Sequence, residues 1–371
     1  MSIGIAGAGL LGRLLAWRLA RAGHRVSVFD PAPGPEPTFD GRQAAGFTAA
    51  GMLSPLAELD NSPAEVAALG WRSIALWRGI VGTLAARPQF AERGSLLLAH
   101  RGDLGAAQRV LARLASAAPG TPQPQSLSAD ALATIEPAVH GAAQAWLLPQ
   151  EGQIDPVAAL QALHAEAHGV RWHWGQRVVG VKPGALSLDG TTTTQRFDWT
   201  FDVRGTGARP DWPVRGVRGE TVWLHASGHG LGRPVRLLHP RHRVYLVPRP
   251  GDVVLVGASE IESEDRSAVS LRSAVELMAA AHSVMPALAE ARILRLDANL
   301  RPALPDNAPR TEVTPGRVRI NGLFRHGWLL APALVEDALR ACGLDATGPA
   351  PAGQTRETSE TTACTAPKPS P

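Results

Sequence analysis

The first thirty residues constrain this chain more than any other stretch. In "IGIAGAGLLG" a short apolar run, Ile3 to Ala6, leads directly into Gly7, Gly9 and Gly12. Apolar residues then recur at helical spacing through Leu10, Leu14, Leu15 and Leu19, Gly23 can stop the helix, and "RVSVFD" alternates as a second strand ending on Asp30. Strand, glycine turn, helix and strand form one βαβ unit. The three glycines of G-x-G-x-x-G serve different ends. Gly7 permits the tight turn, Gly9 lets backbone approach a pyrophosphate, and Gly12 allows close helix packing. With Ala8, Leu10 and Leu11 completing the turn, phosphates would rest on the helix N-terminus and Asp30 would accept ribose hydroxyls. The pattern predicts dinucleotide binding and leaves NAD and FAD equally open.

The chain has 371 residues, too many for one typical domain, and the βαβ unit accounts for only the first of them. A helix is predicted from about Pro63 to Ala86, with Asn61 or Ser62 as cap, then a strand over "GSLLLAH" and a helix from Asp103 to Ala118. Asp155 before Pro156 opens another helix that runs to about His168. "VRWHW" and "RVVGVK" alternate as strands, and "FDWTFDVRGTG" carries a strand into a second glycine turn. Between 217 and 260, "GETVWLHA", "PVRLLHP", "VYLVPRP" and "DVVLVGASE" are spaced like strands of an antiparallel sheet, followed by a helix near Ser270 to His282. The strand "RVRINGLF", a glycine turn at Gly327 and a helix to about Ala341 close the ordered part. Nucleotide-binding segments thus stand at the beginning, middle and end, with the antiparallel segments between them. The fold class expected is α/β: a discontinuous Rossmann-like domain over 1–85, 150–215 and 300–343, with an inserted α+β domain built on an antiparallel sheet over 86–149 and 216–299. Residues 344–371 are polar and rich in Pro and Thr, and are expected to be a disordered tail.

Composition excludes several classes. The pI of about 9.8 invites nucleic acid, but the net charge is only +4, the arginines are scattered, and Lys182 and Lys368 are the sole lysines. Cys342 and Cys364 stand apart from any Cys/His cluster, so no disulfide framework or metal site is expected, and a reducing cytoplasm fits. Arg13, Arg18 and Arg21 interrupt the apolar N-terminus, which reads as neither leader nor membrane span.

Three further stretches bear on chemistry. In "FTAAGMLSPLAELD" the small residues Ala49, Ala50 and Gly51 would let backbone press on a flat ligand and Met52 would add an adaptable apolar contact, although a packing turn looks the same locally. In "LRPALPDNAP" Arg301 offers a two-pronged grip on a carboxylate, or a structural ion pair. In "GLFRHGWLLAPAL" the free N–H groups of a helix start would face an electron-rich ligand edge, and His326 reads more readily as a hydrogen-bonding residue than as a base. The chain's one tyrosine, Tyr245, sits in "HRVYLVPR", where the strand alone reads it as a core or surface aromatic.

Taken together, "GAGLLG", "AAGMLSPLAE", "VYLVPR", "LRPALPDNAP" and "FRHGWLLAPA" resemble, in order and spacing, the D-amino-acid oxidase superfamily of FAD-dependent oxidoreductases, nearest to its glycine oxidases of thiamine biosynthesis. The resemblance spans roughly residues 3 to 342, and it is what selects FAD. It implies that Ala50, Gly51 and Met52 border the flavin and that Val178 touches the adenine side. Gly205 and Gly207 would form the mid-chain cofactor turn, while Arg325, His326, Gly327, Trp328, Leu329 and Leu330 would wrap the flavin pyrimidine. Arg301 and Tyr245 would hold the substrate carboxylate, beside Met52 and Arg325. A hydride would pass from the substrate Cα to the flavin, with dioxygen as the final acceptor and a small amino acid as substrate; a homo-oligomer is compatible with this reading. The alternatives are an oxidase or dehydrogenase of another D-amino acid or N-methyl amino acid, and a non-catalytic nucleotide binder. The chain departs from the family pattern at Leu323 and Arg243, where some members carry histidine, in the hydroxyl-poor loop "RQAAGF", and in the turn "VRGTG".

Overall fold

A computed structural model describes residues 1–115, 120–239 and 243–345. The first βαβ unit forms as its pattern requires. Strand Ser2–Ala6 pairs in parallel with Arg25–Asp30 on one side and Trp199–Asp202 on the other, which buries Ile3 and Ile5 completely. Helix Leu10–Arg21 ends in a hydrogen-bonded glycine cap: Gly23, at φ +81°, donates to the Ala20 carbonyl at 2.9 Å and His24 donates to Leu19 at 3.0 Å. The sheet extends to six strands, in the order Arg310–Thr314, Arg317–Asn321, Trp199–Asp202, Ser2–Ala6, Arg25–Asp30, Arg171–Trp174. Its strands come from the beginning, middle and end of the chain, as the interleaved motifs predicted.

The second sheet has eight strands, in the order Arg292–Ala303, Arg215–His225, Val253–Gly257, Arg243–Arg249, Val235–Leu238, Ser95–Ala99, Gln144–Leu148, Gln125–Leu127. All its pairings are antiparallel except Val235–Leu238 with Ser95–Ala99. Alternation gives it two unlike faces. Val222, Leu224, Val235, Leu237, Val244, Leu246, Val254 and Val256 form one buried core with helix Leu271–Val284, which Ser270 caps. The other face carries the polar residues described below. The chain is thus α/β, a Rossmann-like sheet with an antiparallel α+β unit inserted into it.

Several expectations need correction. Two of the expected domain boundaries fall inside strands, because Arg215–His225 and Arg292–Ala303 pair continuously along the eight-stranded sheet. The chain leaves strand Arg317–Asn321 at Gly322 (φ +76°) and turns over Leu323–His326, where Phe324 takes φ +48° and His326 donates to the Leu323 carbonyl at 2.8 Å; Gly327, where the turn was expected, is the first residue of helix Gly327–Ala341. Neither Asn61 nor Ser62 caps helix Ala64–Thr83, whose N-cap is Pro63. Leu344 and Asp345, assigned to the tail, are packed: Leu344 is buried, and Asp345 pairs with Arg18 at 2.9 Å. The remainder of the expected tail, 346–371 with Cys364 and Lys368, and the end of the helix expected to reach Ala118 lie outside the described residues. No helix among the described residues is long and apolar enough to cross a membrane.

Candidate active site

A cavity of about 950 Å³ runs from the glycine turn, past the small-residue stretch and the start of helix Gly327–Ala341, to the polar face of the eight-stranded sheet. At its first end the glycine turn is close-packed. A side chain on Gly7 would meet the Val203 carbonyl at 2.8 Å, and one on Gly12 would meet the Gly7 carbonyl at 1.9 Å. Gly9 is different: it opens the helix with no side-chain cap, and the nearest atom to its missing Cβ is Ala44 Cβ at 3.4 Å. The first-turn amides lack intrahelical acceptors by geometry. Asp30 is held at the strand end by two amides, Ala8 N–H at 2.6 Å and Ala32 N–H at 2.9 Å, and each carboxylate oxygen retains acceptor capacity. Arg13 braces the turn from behind with bonds to the carbonyls of Ala8 (2.9 Å), Leu160 (3.0 Å) and Pro35 (2.6 Å). Burial pulls its pKa down to about 10, against the opposing charges of Asp30 and Glu36. Arg204 of "VRGTG" grips Asp202 through two bonds of 2.8 Å and donates to the Val178 carbonyl at 3.1 Å, which ties the mid-chain turn to the strand carrying Val178.

In the middle, Gly51 takes φ +61°, and a Cβ there would lie 2.1 Å from the Ile154 carbonyl, so only glycine fits. Arg249, buried, donates to the Ala50 carbonyl and holds this segment against the sheet. Trp328, the second residue of helix Gly327–Ala341, donates its indole N–H to Gly46 at 3.1 Å and stacks on Trp77 at 5.3 Å.

The sheet end is set by register. Val217 lies opposite Arg301, Gly219 opposite Asn299, Thr221 opposite Gly257, Gly257 opposite Tyr245, and Tyr245 opposite Arg236. Directly paired residues share a face, so Arg301, Asn299, Thr221, Tyr245 and Arg236 converge on the cavity they all line. Two glycines make room for the large side chains. A Cβ on Gly219 would sit 2.4 Å from Arg301 Cζ, and one on Gly257 would sit 2.6 Å from the Tyr245 ring. The Arg301 guanidinium therefore lies flat over Gly219 and donates to the Ser259 carbonyl at 3.1 Å. It has no carboxylate partner among the described residues, so of the two local readings the structural ion pair fails. Burial raises the Tyr245 pKa, opposed by Arg301, Arg236 and Arg249, so its hydroxyl remains a donor.

Glu58 organises the adjoining wall. It pairs with Arg325 at 2.9 Å and Arg236 at 3.5 Å, and His326 Nδ1 lies 3.4 Å away without a hydrogen-bond partner, while Arg325 also faces Glu260 at 3.8 Å. Burial lowers the His326 pKa, with Glu58 pulling against it. Ser62, instead of capping a helix, lies 3.4 Å from His326 Nε2.

The family model described as FAD dependent oxidoreductase, DAO, matches residues 2–337. The chain belongs to the DAO family of FAD-dependent oxidoreductases. It is 36% identical over 343 residues to a Rhizobium etli protein named as a thiamine biosynthesis oxidoreductase, ThiO, covering 92% of this chain and 96% of that one. It is 26% identical to a glycine oxidase of Bacillus licheniformis, covering 90% of each. The crystal structure of the glycine oxidase from Geobacillus kaustophilus superposes with a TM-score of 0.78 at 25% identity, over 92% of this chain and 94% of that one. The chain is therefore an enzyme of this family, its cofactor is FAD, and a purely non-catalytic nucleotide binder is set aside.

The cavity fits that cofactor. The open Cβ position of Gly9, the uncapped helix start and Asp30 line one end. Further along, Gln43 Nε2, Thr221 Oγ1 and Arg325 Nε are buried without a protein hydrogen-bond partner, as a wall shaped for a polar-edged ligand would be. Of the residues expected at the site, the cavity is lined by Gly7, Gly9, Leu10, Leu11, Asp30, Ala49, Ala50, Gly51, Met52, Val178, Gly205, Gly207, Tyr245, Arg301, Arg325, His326, Gly327, Trp328 and Leu329. Ala8, Gly12 and Leu330 do not line it; they pack behind the wall. Sequence reasoning missed Glu58, Arg236, Asn299 and the accommodating glycines. For Gly219 and Gly257 a signal existed, since a glycine inside a strand run marks a close approach.

Proposed function

We propose that this enzyme oxidises glycine, or an amino acid of similar size, to the imine. The carrying observation is Arg301, a guanidinium without a carboxylate partner among the described residues, flat on the sheet face beside the Tyr245 hydroxyl. In this reading Arg301 grips the substrate carboxylate through two parallel hydrogen bonds and Tyr245 donates a third, which fixes both position and orientation. Met52 and Ala50 line the same cavity and pack in one apolar cluster with Val247 and Leu255 behind them. Arg325 is committed to Glu58 and Glu260, so it shapes the site rather than taking the carboxylate.

When bound, FAD supplies the two-electron chemistry: removal of a hydride from the substrate Cα and delivery of the electrons to dioxygen. Gly7 to Gly12 and Asp30 would hold its pyrophosphate and ribose, Val178, Gly205 and Gly207 its adenosine side, and Ala49 to Met52 with Arg325 to Leu330 its ring system, Leu330 from behind. The free amides at the start of helix Gly327–Ala341 would stabilise negative charge on the ring edge they face. No side chain is needed as a base when the neutral amine reacts, and buried His326, close to Glu58 and with Nε2 at 3.4 Å from the Ser62 hydroxyl, suits a structural role. The likeness to the Rhizobium etli ThiO supports a place in thiamine biosynthesis, and in this reading the imine is the product passed on to thiazole formation. We divide the chain at the strand ends, giving Arg215–His225 and Arg292–Ala303 entirely to the substrate domain.

The test is anaerobic addition of glycine to the purified yellow protein. Bleaching of the flavin band, followed by recovery and peroxide formation on admitting air, is expected. Absence of bleaching by glycine, together with rapid bleaching by sarcosine or a larger D-amino acid, would overturn the substrate assignment.

A further inference from the structure

We propose that Arg243 gives the site a preference for substrates carrying a second acidic group, so that an amino dicarboxylic acid binds ahead of the neutral amino acid of the same shape. This rests on the reading of Arg301 and Tyr245 as the carboxylate site. Arg243 stands two residues before Tyr245 on one strand, and alternation puts both on the same face, about 6.6 Å apart along the backbone. Arg243 lines the cavity and is otherwise exposed, at its mouth.

Charge accounting isolates it. At the sheet end the cavity wall carries Arg236, Arg243, Arg301 and Arg325 against Glu58 and Glu260, which is four cations to two carboxylates. Glu58 is taken by Arg325 and Arg236, and Glu260 faces Arg325. Glu151, beneath Arg236, adds little negative charge, because complete burial favours its neutral form. Two guanidinium groups, Arg301 and Arg243, therefore have no carboxylate partner among the described residues. One substrate carboxylate satisfies Arg301 and leaves Arg243 over. The field of Arg243 reaches into the site, since it is among the charges that lower the proton affinity of His326. A neutral amino acid leaves this surplus cation uncompensated, whereas a second carboxylate two or three carbons from the first pairs with it.

The experiment is calorimetric titration of the FAD-loaded enzyme with succinate and with succinamate, inert ligands of nearly equal shape that differ by one charge. Turnover is not required, so failure of glycine to bleach the flavin and failure of this inference are separate results. The wild type should bind succinate roughly five- to tenfold more tightly, a modest ratio because the cation is at a solvent-exposed mouth. Arg243→Gln should reduce the ratio to about two, the statistical remainder for a ligand with two equivalent carboxylates. Arg243→Lys should keep most of the preference. A wild-type ratio of about two or less, or an undiminished ratio in Arg243→Gln, overturns the proposal.

Discussion

Replacing Gly219 by alanine should weaken carboxylate binding while leaving the fold and the flavin in place. The added methyl would stand 2.4 Å from both Cζ and Nη2 of Arg301 and 2.7 Å from Nη1. Ordinary contact begins near 3.4 Å, so the guanidinium must retreat by about 1 Å, the difference between 3.4 and 2.4. That displacement breaks the 3.1 Å bond from Nη1 to the Ser259 carbonyl and tilts the fork away from its ligand. Hydrogen bonds to a charged group contribute about 1.5–3 kcal/mol, which corresponds to a loss of about ten- to hundredfold in affinity. Because the arginine stem is flexible and can recover part of the contact, the lower part of that range is expected. Gly219 does not adopt positive φ, so alanine brings no backbone strain, and the acceptors affected are two neutral carbonyls, Ser259 at 3.1 Å and, at the longer 3.5 Å, Arg218, at a cost of about 1 kcal/mol for each bond lost. The assay is anaerobic titration of flavin reduction with glycine, alongside thermal melting followed by flavin fluorescence. A glycine affinity equal to wild type would refute the placement of Arg301 over Gly219, and with it the carboxylate site. A protein that no longer retains flavin would refute the claim that the change is local.

Tyr245→Phe keeps the ring over Gly257 and removes only the donor, so apparent glycine affinity should fall about five- to tenfold with flavin binding intact; unchanged affinity would return Tyr245 to a packing role. Burial holds the folded-state pKa of His326 below its ordinary value of 6.5, so below that pH the unfolded chain binds the proton first. The contribution of this residue is therefore complete above 6.5 and is lost as the pH falls through the folded value. Melting temperature should drop less steeply between pH 7.5 and 5 in His326→Gln than in the wild type, and parallel curves would exclude buried His326 as a source of acid sensitivity.

Much of the cofactor end was legible because its constraints are local. A turn that needs a missing Cβ at Gly7 and Gly12, and an acid at the end of the next strand, lie within one βαβ unit and are written contiguously. The final turn was misread at Gly327 because glycine is the natural punctuation in sequence; the backbone instead turns over Phe324 and Arg325, after Gly322, and Gly327 already belongs to the helix. The domain boundaries slipped for a related reason. The long strand Arg292–Ala303 alternates polar and apolar residues only from Arg295 to Pro302 and carries a proline near its end, and its full length is fixed by pairing with Arg215–His225.

The substrate end is where tertiary structure decided. In sequence, Arg301 was as good a structural ion-pair partner as a ligand-binding group, and Tyr245 read as an aromatic packing residue. Register across four strands brought them onto one face and two glycines cleared space for them. The partner that would have made Arg301 structural is absent among the described residues, whereas Arg325 proved to be engaged by Glu58 and Glu260. By itself the sequence determined the nucleotide-binding unit, the order of the family motifs and the types of residue available for chemistry. Which arginines at the substrate end were left without a carboxylate depended on long-range strand pairing and on the side chains that pairing juxtaposes, distances no local pattern encodes.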